Sequence, residues 1–152
     1  MSLQAKVPPP AVAAASALII WAISRLAPLV AMPSGVRLAV SLAFVMLGVG
    51  LSVAGVLSFR RAQTTLNPTK PQEASSLVTT GIYRVTRNPM YLGLSLVLLA
   101  WTVFLSSAWA LLGVAAFVLY INRLQIAPEE RALSQLFGSE YTAYQAKVRR
   151  WL

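Results

Sequence analysis

Two short stretches hold most of the side chains that could do chemistry. The first, from Gly81 to Gly93, reads GIYRVTRNPMYLG and places Tyr83, Arg84, Arg87, Asn88, Pro89, Tyr91 and Leu92 together. The second begins at Pro128 and reads PEERALSQLFGSEYTAYQAKVRRWL, where Glu129 and Glu130 are half of the chain's 4 acids. Guanidinium groups meet carboxylate or phosphate, often through two parallel hydrogen bonds, and carboxylates meet ammonium or sulfonium groups. Tyrosines add flat walls and hydroxyl donors. Such a set suits a zwitterionic, amino-acid-like molecule held beside a lipophilic one. Each part also has a plainer reading. The arginines serve as basic loop flanks, the tyrosines as interfacial anchors, and the glutamates as favourable charges at a helix start after Pro128.

What the chain lacks narrows the chemistry. Its 152 residues include no cysteine and no histidine. Disulfides, thiolate metal sites, histidine zinc sites, Ser-His-Asp triads and imidazole general bases are thereby removed, and no metal site is expected. The composition is 57% hydrophobic and 11% charged, against roughly a quarter charged in soluble domains. Lys and Arg number 13, yet they stand at the edges of apolar runs rather than forming a solvated basic face, so a nucleic-acid partner is not expected.

Membrane helices must position the two polar stretches. Ala11 to Ala31 is apolar apart from Arg25 near its end, where a long side chain reaches the headgroups. Lys6 followed by apolar residues is compatible with a signal peptide, but Pro8-Pro9-Pro10 intervenes and further spans follow; a retained first span is the reading adopted. Between Arg37 and Arg60 lie 22 uncharged residues, about 33 Å as helix, enough for a hydrocarbon core of roughly 30 Å. Between Arg87 and Arg123 lie 35, about 52 Å as one helix, which fits two short crossings turning at Ser106-Ser107. The expectation is an all-α integral membrane protein with about four transmembrane helices, the last two a short hairpin. Residues 1–58 would form two N-terminal spans, and 59–152 the loop, the hairpin and the C-terminal segment.

Charge orients this arrangement. Lys6, Arg60, Arg61, Lys70, Arg84, Arg87, Arg123, Arg131, Lys147, Arg149 and Arg150 fall on one side, and Arg25 and Arg37 on the other. The positive-inside rule then puts both termini and the loop between spans two and three in the cytoplasm. Asn67-Pro68, Pro71 and Pro89 forbid a continuous helix through that loop. Asn88 suits the N-cap of span three and Pro89 its first turn. Gly48, Gly50 and Gly55 in LGVGLSVAG read as close helix packing, since their spacing is not that of a nucleotide-binding loop. After Pro128, apolar and aromatic residues recur at helical spacing from Leu133 to Trp151. That pattern gives an amphipathic cytoplasmic helix, interfacially anchored in its distal half and open to a break at Gly138.

LVTTGIYRVTRNPMYLG, followed after one apolar hairpin by EERALSQLFGSEYTAYQAKV, resembles the isoprenylcysteine carboxyl methyltransferase family. That family belongs to a wider membrane methyltransferase group that includes phospholipid N-methyltransferases. The resemblance runs from Leu77 to Val148 in two ordered blocks, and the first two spans share only their apolar character. It implies S-adenosylmethionine as methyl donor, bound on the cytoplasmic side. Tyr83, Arg87, Asn88, Pro89, Tyr91 and Leu92 fall in its first cofactor block, and Glu129 and Glu130 in its second. One glutamate would take the cofactor's amino group, with Glu130 also among the catalytic candidates, and Arg87 would help hold its carboxylate or shape the pocket. Arg123 would orient an anionic acceptor.

Asn88 departs from the pattern, because many relatives carry histidine there. An amide cannot carry a proton away at neutral pH, whereas displacement at a sulfonium methyl mostly needs positioning. A carboxylate or thiolate acceptor arrives ionised, but an ammonium group must first lose a proton. The expected function is therefore methylation of a lipophilic or lipidated acceptor, foremost isoprenylcysteine-type carboxyl O-methylation. Phospholipid N-methylation and thiol S-methylation are the alternatives, and a second copy of the chain is one way to complete the site. A small four-helix transporter or assembly protein is the non-enzymatic alternative; a transporter of organic cations would be expected to hold an acid inside a span, and these spans have none.

Overall fold

The computed structural model describes residues 7–63 and 75–152, so Lys6, Asn67, Pro68, Lys70 and Pro71 lie outside the described residues. Within them the chain is all-helical. Helix α1 (Pro9–Leu26) has proline in its first turn, where a missing N–H has no intrahelical partner to lose. It ends at Ala27, whose backbone is extended, as the residue before a proline prefers. Helix α2 (Ser34–Arg61) follows Pro33 and runs for 28 residues.

A short 3-10 turn, Gly81–Arg84, leads to α3 (Pro89–Phe104). Two of the three glycines of LGVGLSVAG then act as expected. A methyl group on Gly48 would lie 2.6 Å from the Gly93 carbonyl oxygen, and one on Gly93 would collide with the Ser52 hydroxyl and the Gly48 carbonyl. Gly55 abuts Pro89 and Met90, whereas Gly50 faces open space. The backbones of α2 and α3 can approach this closely only because both contact positions lack a side chain.

The hairpin turns where the two serines stand. Ser106 takes φ +52°, and the Ser107 amide donates to the Thr102 carbonyl at 3.3 Å. Helix α4 (Leu111–Ile121) follows and does not close the helical run. A turn of π-helix, Asn122–Ile126, joins it directly to α5 (Ala127–Lys147), so span four and the C-terminal helix form one continuous element, bent at Gly138 (φ 49°, ψ −121°). Among the described residues, three helices are long and apolar enough to cross a membrane: α1, α2 and the 37-residue α4–α5 element. Helix α3 is apolar but has 16 residues, about 24 Å, bounded by Pro89 and the Ser106 turn.

Contacts define two ends. At one, the Val30 amide donates to the Ser106 carbonyl at 2.7 Å, and Arg37 lies over the Phe104 ring at 5.8 Å. At the other, Gln125 Nε2 donates to the Val7 carbonyl at 2.6 Å, and Ser58 of α2 touches Gly81. The chain therefore runs back and forth. A buried apolar core of Ile20, Leu98, Val114, Phe117 and Ile121 joins α1, α3 and α4, while Leu18, Ile19, Leu42, Met46 and Leu47 face outward, as lipid-exposed helices do.

The second cluster corrects one expectation. Tyr141, Tyr144 and Val148 are buried with Val78 and Tyr83, and Phe59, Leu133 and Phe137 pack against them. The stripe expected to anchor the distal helix at the interface is thus mostly covered by the protein's own 3-10 turn and the end of α2. Burial of those aromatics against Tyr83 removes more apolar surface from water than a half-exposed interfacial position would.

Candidate functional site

The two polar stretches meet at the end of the bundle that carries most of the arginines. Pro89 sits in the first turn of α3, as its fixed φ favours, and sets Tyr91 facing α5. The Tyr91 hydroxyl donates to Glu129 Oε1. One residue on, Glu130 lies 3.2 Å from Arg87 Nη2 and accepts from Arg150 Nε and Nη2 at 3.1 and 2.6 Å. The Arg87 and Glu130 side chains are 12% and 15% exposed, so water screens them poorly. Arg150, at 39%, forms the outer edge.

Arg87 is incompletely matched. Its Nε and Nη1 are buried and have no hydrogen-bond partner. Buried polar groups are ordinarily satisfied, and an arginine fork with two open donors fits a carboxylate.

Asn88 occupies the N-cap position of α3 but makes no side-chain cap. Its amide instead donates to the Arg150 carbonyl at 2.9 Å, while the Thr86 hydroxyl accepts from its backbone N–H at 3.2 Å. The expected capping bond is replaced because the C-terminal tail passes within reach of the side chain. Leu92 is buried one turn further along α3.

Tyr83 is 5% exposed and stands edge-on to Phe59 at 5.4 Å. Burial, with Tyr144 and Glu129 beside it, holds its phenol well above the ordinary tyrosine range, so it stays a neutral hydroxyl. Its carbonyl accepts from the Tyr144 hydroxyl at 2.7 Å, tying the 3-10 turn to α5.

The glutamates do not sit at a free helix start, because the π turn feeds α5 without interruption; helix-start electrostatics cannot account for them. Two arginines lie apart from this cluster. Arg84 lines a separate surface cavity of about 430 Å³ with Tyr144, Glu140 and Lys147. Arg123 is exposed on the π turn, with no ion pair among the described residues.

Sequence reasoning missed the tail. Arg150 looked like one more positive flank, and nothing periodic links it to Glu130. The extended residues after Lys147 bring it back: the Arg87 amide donates to the Arg149 carbonyl at 3.1 Å, and Trp151 Nε1 donates to Asn122 Oδ1 at 3.1 Å.

The fold and site define a class: a small all-helical membrane protein with a paired acid and guanidinium cluster at one end of its bundle. The chain belongs to the phospholipid methyltransferase family, which it matches over residues 36–140, reaching back into α2 and beyond the resemblance that begins at Leu77. It is 57% identical over 63 residues to an uncharacterized protein of Haemophilus influenzae, covering 41% of this chain and all of that one. It is 29% identical over 107 residues to protein-S-isoprenylcysteine O-methyltransferase B of Arabidopsis thaliana, covering 70% of this chain and 54% of the plant protein. The chain thus spans about half the length of that plant relative. No solved structure matches it.

Proposed function

We propose that the chain is a methyltransferase that takes S-adenosylmethionine as donor and methylates a lipophilic or lipidated acceptor drawn from the membrane. The observation that carries this reading is the pair of buried, unpartnered donors on Arg87, set beside acids that suit a cationic group. Arg87 would hold the cofactor's carboxylate, with Glu129 and Glu130 as its acidic wall and Tyr83, Pro89, Tyr91 and Leu92 shaping the pocket. When bound, this cofactor supplies an electrophilic methyl group on a sulfonium.

The chain's own contribution is positioning and exclusion of water. Asn88 is engaged with the Arg150 carbonyl and carries no titratable proton, so a site built on it favours an acceptor that arrives ionised. Carboxyl O-methylation of an isoprenylcysteine-type acceptor therefore stands first, and amine methylation of a phospholipid second. Arg123, exposed at the foot of α4, would orient an anionic acceptor. Clustering of Arg60, Arg61, Arg84, Arg87, Arg149 and Arg150 at the site end favours a cytoplasmic site with both termini on that side.

Purified protein given methyl-labelled S-adenosylmethionine, a prenylated cysteine and a lipid extract should transfer label. Base-labile product identifies an ester, and base-stable product an amine or thioether. Absence of calorimetric heat with both the cofactor and its demethylated product would overturn the reading.

A further inference from the structure

The acids of the site are not equivalent. Glu130 is saturated by cations, since Arg150 grips both carboxylate oxygens and Arg87 approaches one of them. Glu129 bonds to a neutral phenol and has no cationic partner among the described residues. The triad of Arg87, Glu130 and Arg150 holds two positive charges and one negative. Arg87 and Glu130 alone would form a neutral pair with little attraction for an anion. Arg150 supplies the second positive charge and engages the glutamate in a fork, leaving two donors of Arg87 open.

The tail is placed to deliver that guanidinium. The Arg87 amide donates to the Arg149 carbonyl at 3.1 Å. Asn88 Nδ2 and the Thr86 hydroxyl both donate to the Arg150 carbonyl, at 2.9 and 3.4 Å. Trp151 is tied to Asn122 at 3.1 Å. Four hydrogen bonds thus set the register of residues 149–151 against the start of α3 and the π turn, and Arg150 is aimed at Glu130 from there.

The geometry points to a division of labour in which Arg150 is a positioning residue. It neutralises Glu130, so that Arg87 presents net positive charge and two free donors to the cofactor's carboxylate, while Glu129 receives the ammonium group. This rests on the cofactor reading above and assigns the two glutamates different tasks. A tail that merely staples the fold would make the same hydrogen bonds without distinguishing ligands by their carboxylate.

Calorimetry on the full chain in detergent, with S-adenosylmethionine and its decarboxylated analogue, separates the two. Arg150→Gln should weaken the parent compound by about tenfold or more, in line with loss of one member of a coupled charge cluster. Affinity for the decarboxylated analogue should stay within about twofold, since in that complex Arg87 has no anion to hold. Glu129→Gln should weaken both, because both keep the ammonium group. Equal weakening of the two ligands by Arg150→Gln, or of neither, overturns the assignment. Should that variant fail to fold, Arg150→Lys keeps the charge and loses the fork. Selective weakening of the parent compound by that variant then supports the assignment, and equal weakening of both ligands, or of neither, overturns it. Wild-type protein that binds neither compound overturns the cofactor reading, and this proposal falls with it.

Discussion

Tyr91 and Glu129 show what a single side chain can be asked to do at this boundary. A carboxylate drawn partly out of water needs donors, and the Tyr91 hydroxyl provides one from α3. Tyr91→Phe keeps the ring and deletes that donor, leaving an acceptor unsatisfied at a cost of about 1–3 kcal/mol. Thermal unfolding in detergent should register the loss, and an unchanged midpoint would show that water replaces the hydroxyl. The residues on both sides of this contact were legible in the sequence, because acids number only 4 in the chain and two of them stand side by side, while tyrosine and arginine crowd into the stretch from Gly81 to Gly93. The partner of Glu130 was not. Arg150 lies 20 residues from Glu130, at a separation fixed only once α5 has folded and the tail has turned back.

At the scale of elements, the closest packing is between α2 and α3, where Gly48 and Gly93 meet. Gly93→Val would force side-chain atoms into the Ser52 hydroxyl and the α2 backbone, costing about 1–3 kcal/mol or more. Gly50→Val faces open space and should change stability by less than about 0.5 kcal/mol. Unfolding midpoints of the two variants, measured side by side, check the assignment of faces; equal losses would contradict it. Spacing alone could not separate Gly48 from Gly50, since both belong to one small-residue run. Nor could it show that α4 continues into α5. Apolar periodicity marks where lipid contact ends, but the π turn keeps the backbone helical past that point, burying Gln125 as it does so.

For the whole molecule, the testable property is orientation. The native chain has no cysteine, so single cysteines report cleanly. Ala108, at the hairpin turn, and Ser139, beyond the bend in α5, are both exposed. With an impermeant maleimide on intact cells, Ala108→Cys should label and Ser139→Cys should label only after lysis. The reverse pattern would place the site outside the cytoplasm. The charge asymmetry behind this expectation maps onto the two ends of the bundle, with Arg37 beside the hairpin turn and Arg87 and Arg150 at the opposite end.

Composition and spacing by themselves determined that this chain is a helical membrane protein, that its hairpin turns at Ser106-Ser107, and where its polar side chains gather into two blocks. Those properties follow from hydrophobic run length, proline placement and charge, which act along the chain. The tertiary structure decided the rest. It showed that α3 is short, that α4 and α5 are one element, that the distal aromatics cover Tyr83, and that Asn88 holds the tail rather than capping its helix. It also decided that Glu130 belongs to two arginines while Glu129 belongs to a tyrosine. Adjacent glutamates on a helix point about 100° apart, so neighbours in sequence face different partners, and only the packed chain says which.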